Sequence, residues 1–217
     1  MTPKFVRAVD PIFQSALNFL ERLEQPKRLV LSDERARIQK KFDQAEAMLG
    51  NSEDWQLAKY ALVCWLDAKL VQTPWEGKTW WMNNPLEKHY YMSGDGYEKF
   101  FKNAQQAATL SNKDALEVFY ICVVLGFRGF YHDSTSAARA EHFNLPPTIE
   151  SWARQVSMSI QLRQGRPPID QSTRLGGTAN PLLGRSNLIT MSLISTSLLA
   201  AAVGYFYFFF YPTHFGS

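Results

Sequence analysis

The sequence predicts an all-α protein, a bundle of about seven to eight helices followed by one C-terminal transmembrane helix. Three observations carry this. Apolar residues recur every three to four positions in successive segments separated by turn signals, and no alternating stretch is long enough to build a sheet. The run Leu188–Tyr211 contains no charged residue, and about 20 apolar residues suffice to cross a hydrocarbon core of about 30 Å. The organisation that follows is a helical domain over residues 1–165, a linker over 166–187, an anchor over 188–211 and a short tail over 212–217.

Val6, Val9, Phe13, Ala16, Leu17 and Leu20 recur at helical spacing, which predicts a first helix from Pro3 to Glu24. Ser32 is the expected N-cap of a second, with Ile38, Phe42, Ala45 and Leu49 facing inward and Gly50 ending it. Ser52 can cap a third through Trp55, Ala58, Leu62, Trp65 and Leu66 to Gln72, where Thr73-Pro74 stops it. Shorter helices are expected over 85–92 and 96–110. Ser111, followed three residues later by Asp114, has the form of a capping box with a shortened acid. The helix after it places Leu116, Phe119, Tyr120, Val123 and Phe127 on one face. Pro146-Pro147-Thr148 opens a last helix, closed by Gly165. Pro167, Pro168 and Pro181, with Gly176, Gly177 and Gly184, mark the linker.

The anchor holds eleven Leu, Ile, Val and Phe residues, each favouring insertion by roughly 0.3–0.6 kcal/mol. Arg174 and Arg185 precede it and no Lys or Arg follows it. The positive-inside rule then places the helical domain in the cytoplasm and Pro212–Ser217 across the membrane. The aromatic run Tyr205–Tyr211 suits the far headgroup layer. Ser192, Thr196, Ala200 and Gly204 form an i, i+4 ladder of small residues, the pattern that lets membrane helices approach closely. Small residues are also simply common in such helices, so self-association and a partner's helix both remain open.

The net charge of +3, mixed along the chain, argues against nucleic-acid binding. Cys64 and Cys122 both sit in apolar runs and read as buried reduced thiols. Residues 1–19 are amphipathic and carry Lys4, Arg7 and Asp10, which does not fit a signal peptide.

The segment Tyr60-Ala61-Leu62-Val63-Cys64-Trp65-Leu66-Asp67, continuing to Thr73-Pro74-Trp75, resembles the signature of the DotU/TssL family, an apolar helix carrying an Asp and then a Thr-Pro-Trp turn. Gly96-Tyr97-Glu98-Lys99-Phe100-Phe101 resembles the family's Gly…Phe-Phe helix. Leu116–Tyr131, with Leu125-Gly126-Phe127-Arg128-Gly129, resembles its apolar helix and glycine turn. The resemblance implies an inner-membrane subunit of a type VI secretion system, or its relative in type IVB systems. It implies a partner of the IcmF/TssM type and, in type VI systems, contacts with baseplate subunits, with homo-oligomerisation open. Two departures stand out: Ala68 follows Asp67 where the family commonly has Glu, and Phe130 precedes Tyr131 where Arg is common. The peptidoglycan-binding extension of some relatives has no counterpart in this sequence.

Asp67 lies within an apolar helix, with Val63, Leu70 and Val71 as its near neighbours on the helix surface. It must find a tertiary donor such as a backbone N–H, a Trp or Arg128, or else line a wet cleft that binds a partner. Trp75 is expected to plug the core, and Trp80 or Trp81 to be exposed as an interface anchor. Gly126, Phe127 and Gly129 are expected to make a tight turn, with Arg128 either solvated or paired to a carboxylate. No metal, cofactor or catalytic residue is implied: His89, His132, His142 and His214 lack ligand spacing, and Ser93-Gly94-Asp95-Gly96 matches no phosphate or calcium loop. The expectation is a scaffold and not an enzyme. A membrane-tethered hydrolase would need a nucleophile–base pair that the sequence does not offer.

Overall fold

A computed structural model describes residues 1–23, 29–132 and 136–163, together with Val203. The chain divides into two compact units, Met1–Arg166 and Pro167–Ser217. The linker, the anchor and the ladder Ser192, Thr196, Ala200 and Gly204 lie outside the described residues.

Among the described residues of the first unit there are nine α-helices and one 3-10 turn, and no strand. They are α1 (Pro3–Leu23), α2 (Leu31–Leu49), α3 (Glu53–Gln72), α4 (Lys78–Asn83), α5 (Leu86–Tyr91), α6 (Gly96–Thr109), α7 (Asp114–Val124), α8 (Ser136–His142) and α9 (Ile149–Arg163), with the 3-10 turn at Gly129–His132. Helix α3 is the axis, packing on α1, α2, α4, α5, α6 and α7. Its sequence explains the position. Trp55, Ala58, Ala61, Leu62, Val63, Trp65, Leu66 and Leu70 are buried on every side of the helix, as expected for a helix wrapped by others. Ser52 caps it as expected, its Oγ accepting from the Trp55 N–H at 3.3 Å. Thr73 closes it, donating both its N–H (3.0 Å) and its hydroxyl (2.9 Å) to the Lys69 carbonyl.

Several expected details differ. Helix α1 buries Phe5, Ala8, Val9, Ile12, Phe13, Ala16 and Phe19, while Leu17 is exposed and Val6 and Leu20 only half-buried. The seam is therefore rotated towards the Phe positions, whose rings reach deepest: Phe13 meets Trp65 edge-on at 5.2 Å. Ser32 does not cap α2, which starts two residues earlier than such a cap would give, with Val30 in the cap position and no side-chain cap. Ser111 and Asp114 form no capping box. Asp114 instead accepts from the N–H (2.7 Å) and hydroxyl (2.6 Å) of Thr2, fixing the start of α1 to the start of α7. The 74–84 loop contains α4, and α8 is a further short helix. Both are too brief to show a period, which is why the count exceeds seven to eight.

One stretch among the described residues, Asp114–His132, has the length and mean hydropathy of a membrane span. Leu116, Phe119 and Cys122 within it are fully buried against the other helices, as befits a core helix. Around it lies an aromatic cluster: Phe100 stacks on Phe127 at 4.1 Å, and Phe101 meets Phe130 (5.0 Å), Tyr131 (5.1 Å) and Trp152 of α9 (5.4 Å).

Met92 closes α5 in the left-handed region (φ 51) and is 87% exposed. An L-residue held there costs about 1–2 kcal/mol relative to glycine, and this side chain buries almost nothing in return. Met92→Gly is therefore expected to stabilise the chain by about 1 kcal/mol, measured by denaturant unfolding in detergent. Phe127→Ala, in contrast, should cost about 3–5 kcal/mol.

Candidate functional site

The C-terminal half of α3 organises two surfaces. On one side, the Thr73-Pro74-Trp75 turn sends the chain into α4 and back through α5. Pro74 cannot continue the helix, and Trp75 folds back so that its Nε1 donates to the Leu70 carbonyl at 2.7 Å. The Trp75 ring lies edge-on to Phe19 at 5.7 Å. Trp75 thus plugs the end of α3 against α1, as its position suggests.

Asp67 lies beneath this turn. Its Oδ1 accepts from Trp81 Nε1 (2.8 Å) and from the Leu86 N–H (3.0 Å), and its Oδ2 accepts from the Glu87 N–H (2.8 Å). Helix α5 has Pro85 in its cap position and no side-chain cap of its own. Asp67 supplies that cap from another helix, satisfying two of the N–H groups that every helix start leaves open. Of the alternatives open to it, the carboxylate takes the Trp and the backbone N–H groups. Arg128 is not among its partners. Burial raises its pKa to about 6. The donated N–H groups of Glu87, Leu86 and Trp81 pull it down, and the nearby Glu87 charge pushes it up.

The expectation that Trp81 could be an exposed anchor is corrected: the ring is fully buried, held by its bond to Asp67 and by Phe19 at 6.1 Å. Adjacent residues of α4 point different ways, so only Trp80 reaches the surface, half-buried with the Arg35 guanidinium 6.0 Å from its ring.

Sequence reasoning missed Glu87. It is buried and accepts from the Tyr60 hydroxyl (3.1 Å), the Ser93 hydroxyl (2.7 Å) and the Gly96 N–H (3.2 Å). These bonds tie the Ser93–Gly96 loop to α3 and α5. A Cβ on Gly96 would lie 2.7 Å from Glu87 Oε2 and 3.0 Å from Cys64 Sγ, so only glycine lets the loop close. The one sequence signal was an acid in the first turn of a helix opened by proline. Burial pushes the Cys64 and Cys122 thiols well up, which makes them poor nucleophiles.

On the other side of α3 lies the glycine turn. Gly126 (φ 94) and Gly129 (φ 52) flank Phe127 and Arg128. The Gly126 N–H donates to the Val123 carbonyl and the Phe127 N–H to Cys122, both at 2.9 Å, closing α7. Phe127 is buried and Arg128 is exposed.

The domain is thus an all-helical bundle in which Asp67 ties α3 to α4 and α5 and a glycine turn closes α7. The family model described as "Type VI secretion system protein DotU" matches residues 4–213, and the chain belongs to this family of secretion-associated subunits. Two solved structures share the fold. The cytoplasmic domain of TssL from Acinetobacter baumannii is 19% identical over 73% of this chain and 98% of that one, with a TM-score of 0.59. DotU from Francisella novicida is 15% identical over 71% and 97%, with a TM-score of 0.53. No curated protein matches the chain significantly.

Asp67→Ala would leave three N–H donors without acceptors, at a cost of about 1–3 kcal/mol, seen in the denaturation midpoint. The pH dependence has a definite sign. An unfolded aspartate titrates near about 3.9, below the folded value of about 6. Between those values the folded chain keeps a proton that the unfolded chain has lost. The contribution of Asp67 is therefore greatest below pH about 4 and declines as pH rises to about 6. Comparing Asp67→Asn with the parent across this window should show that decline removed.

Proposed function

We propose that the chain is a non-catalytic scaffold subunit of a type VI secretion membrane complex, which holds its helical domain at the cytoplasmic face of the inner membrane and recruits neighbouring subunits there. The observation that carries this is the extent of the family match. Residues 4–213 include nearly all of the domain, the linker and the whole of the uncharged run 188–211, which supports reading that run as part of the family pattern.

In this reading Leu188–Tyr211 is a single-pass anchor, with the C-terminus periplasmic. The partners are an IcmF/TssM-type membrane protein and cytoplasmic baseplate subunits, with Ser192, Thr196, Ala200 and Gly204 packing against a second helix. The mechanism is positioning. The domain makes its affinity from preformed surfaces, since the Asp67 and Glu87 carboxylates are satisfied internally and binding need not reorganise them. Trp80, half-buried on α4 beside Arg35, is one contact residue of this kind.

The chain should sediment with membranes and resist extraction by alkaline carbonate, whereas deletion of 188–211 should release it to the soluble fraction. Light crosslinking in the native bacterium, followed by isolation in mild detergent, should recover an IcmF/TssM-type protein and baseplate subunits. Recovery of neither, from cells that assemble the machine, would overturn the scaffold reading.

A further inference from the structure

The glycine turn presents a pair of like charges. The Lys69 ammonium, from the last turn of α3, lies 2.5 Å from where a Cβ would stand on Gly126, so the missing side chain makes room for it. Arg128 follows two residues later. Lys69 titrates below its ordinary value, first because it is partly buried and then because Arg128 stands close by. Among the described residues neither cation enters an ion pair, and the Arg128 side chain makes no hydrogen bond.

The backbone beneath Arg128 is fixed on both sides. Phe127 is stacked on Phe100 at 4.1 Å, and the Arg128 carbonyl accepts from the Tyr131 N–H at 3.0 Å. A Cβ on Gly129 would lie 2.7 Å from the Phe101 ring and 2.9 Å from the Tyr97 carbonyl. On a locked turn the backbone of Arg128 has no further freedom to lose on binding, and its planar fork matches a carboxylate with two parallel bonds. Val124, four residues earlier, is 62% exposed and adds an apolar surface to the same helix end.

We propose that Lys69 and Arg128, with Val124, form a docking point for the side-chain carboxylate of an acidic segment of a partner protein. This rests on the scaffold reading and gives one of its contacts a chemistry. A protein carboxylate is favoured over a lipid phosphate by number: recognition of anionic bilayers takes clusters of about 4–8 basic residues, whereas two stand here at one helix end with an exposed apolar side chain.

The test uses the full chain in its native bacterium, with a photo-crosslinking amino acid at Val124. The expected adduct is a peptide carrying Asp or Glu within a few residues of the crosslink. Its yield should fall by at least about tenfold in Arg128→Glu, the loss of one charged contact, and partly in Arg128→Lys, which keeps the charge and loses the fork. Lys69→Met provides a second variant should Arg128→Glu lower the melting temperature. A phospholipid adduct, a segment without acids, no adduct, or a yield undiminished in these variants overturns the assignment. If secretion subunits still co-purify with the parent chain, the docking point alone has failed. If they do not, the scaffold reading fails with it.

Discussion

Helix α3 is enclosed by six other helices, and a helix so enclosed can keep a carboxylate only where its neighbours bring donors to it. Asp67 meets that condition through the indole of Trp81 and the first N–H groups of α5. The constraint acts in both directions. Helix α5 has no cap of its own, so its position depends on Asp67. Helix α4 is seated because Trp81 must reach the same oxygen. Glu87, delivered by the turn that Asp67 holds, then fixes the Ser93–Gly96 loop, from which α6 begins. The placement of α4 and α5 against α3 thus leans on one carboxylate and its three bonds.

At the other end of the domain the organising force is apolar. Phe100, Phe101, Phe119, Phe127 and Phe130 interlock around the end of α7, and two glycines let the backbone turn tightly enough to bring Phe127 and Phe130 to opposite parts of the cluster. A turn bounded by buried rings has little freedom, and this is what holds Arg128 at the surface in a fixed place. The two ends differ in a way that suits a scaffold. The polar network is closed internally, whereas the cationic turn faces outward.

Much of the fold was legible in the sequence because its signals are local. Ser52 before Glu53, Pro74 after Thr73 and Gly50 after Leu49 mark helix ends through side chains acting on their own neighbourhood. The motifs around Asp67, Gly96 and Gly126 were legible for the same reason, and Trp75 lies half-buried against the core. Trp80 and Trp81 show where such reading stops. They are adjacent and identical, and only the location of the Asp67 oxygen decides which is buried. Ser32 and Ser111 have the form of caps, yet neither acts as one: α2 already starts at Leu31 with no side-chain cap, and Asp114 turns to Thr2. Glu87 gave almost no signal, because its partners lie 27, 6 and 9 residues away.

By itself the sequence determined the all-helical class, the extents of the longer helices and the family, since these rest on periodicity, on capping chemistry and on motifs that need no distant residue. The tertiary structure decided which indole is buried, which donors the Asp67 and Glu87 carboxylates take and which cations stand near each other at the end of α7. The reason is physical. A charge in an apolar helix states only that a donor must exist, and any nearby N–H could meet that need. Which one does so is settled when the helices pack and the donors of α4 and α5 are the ones within reach.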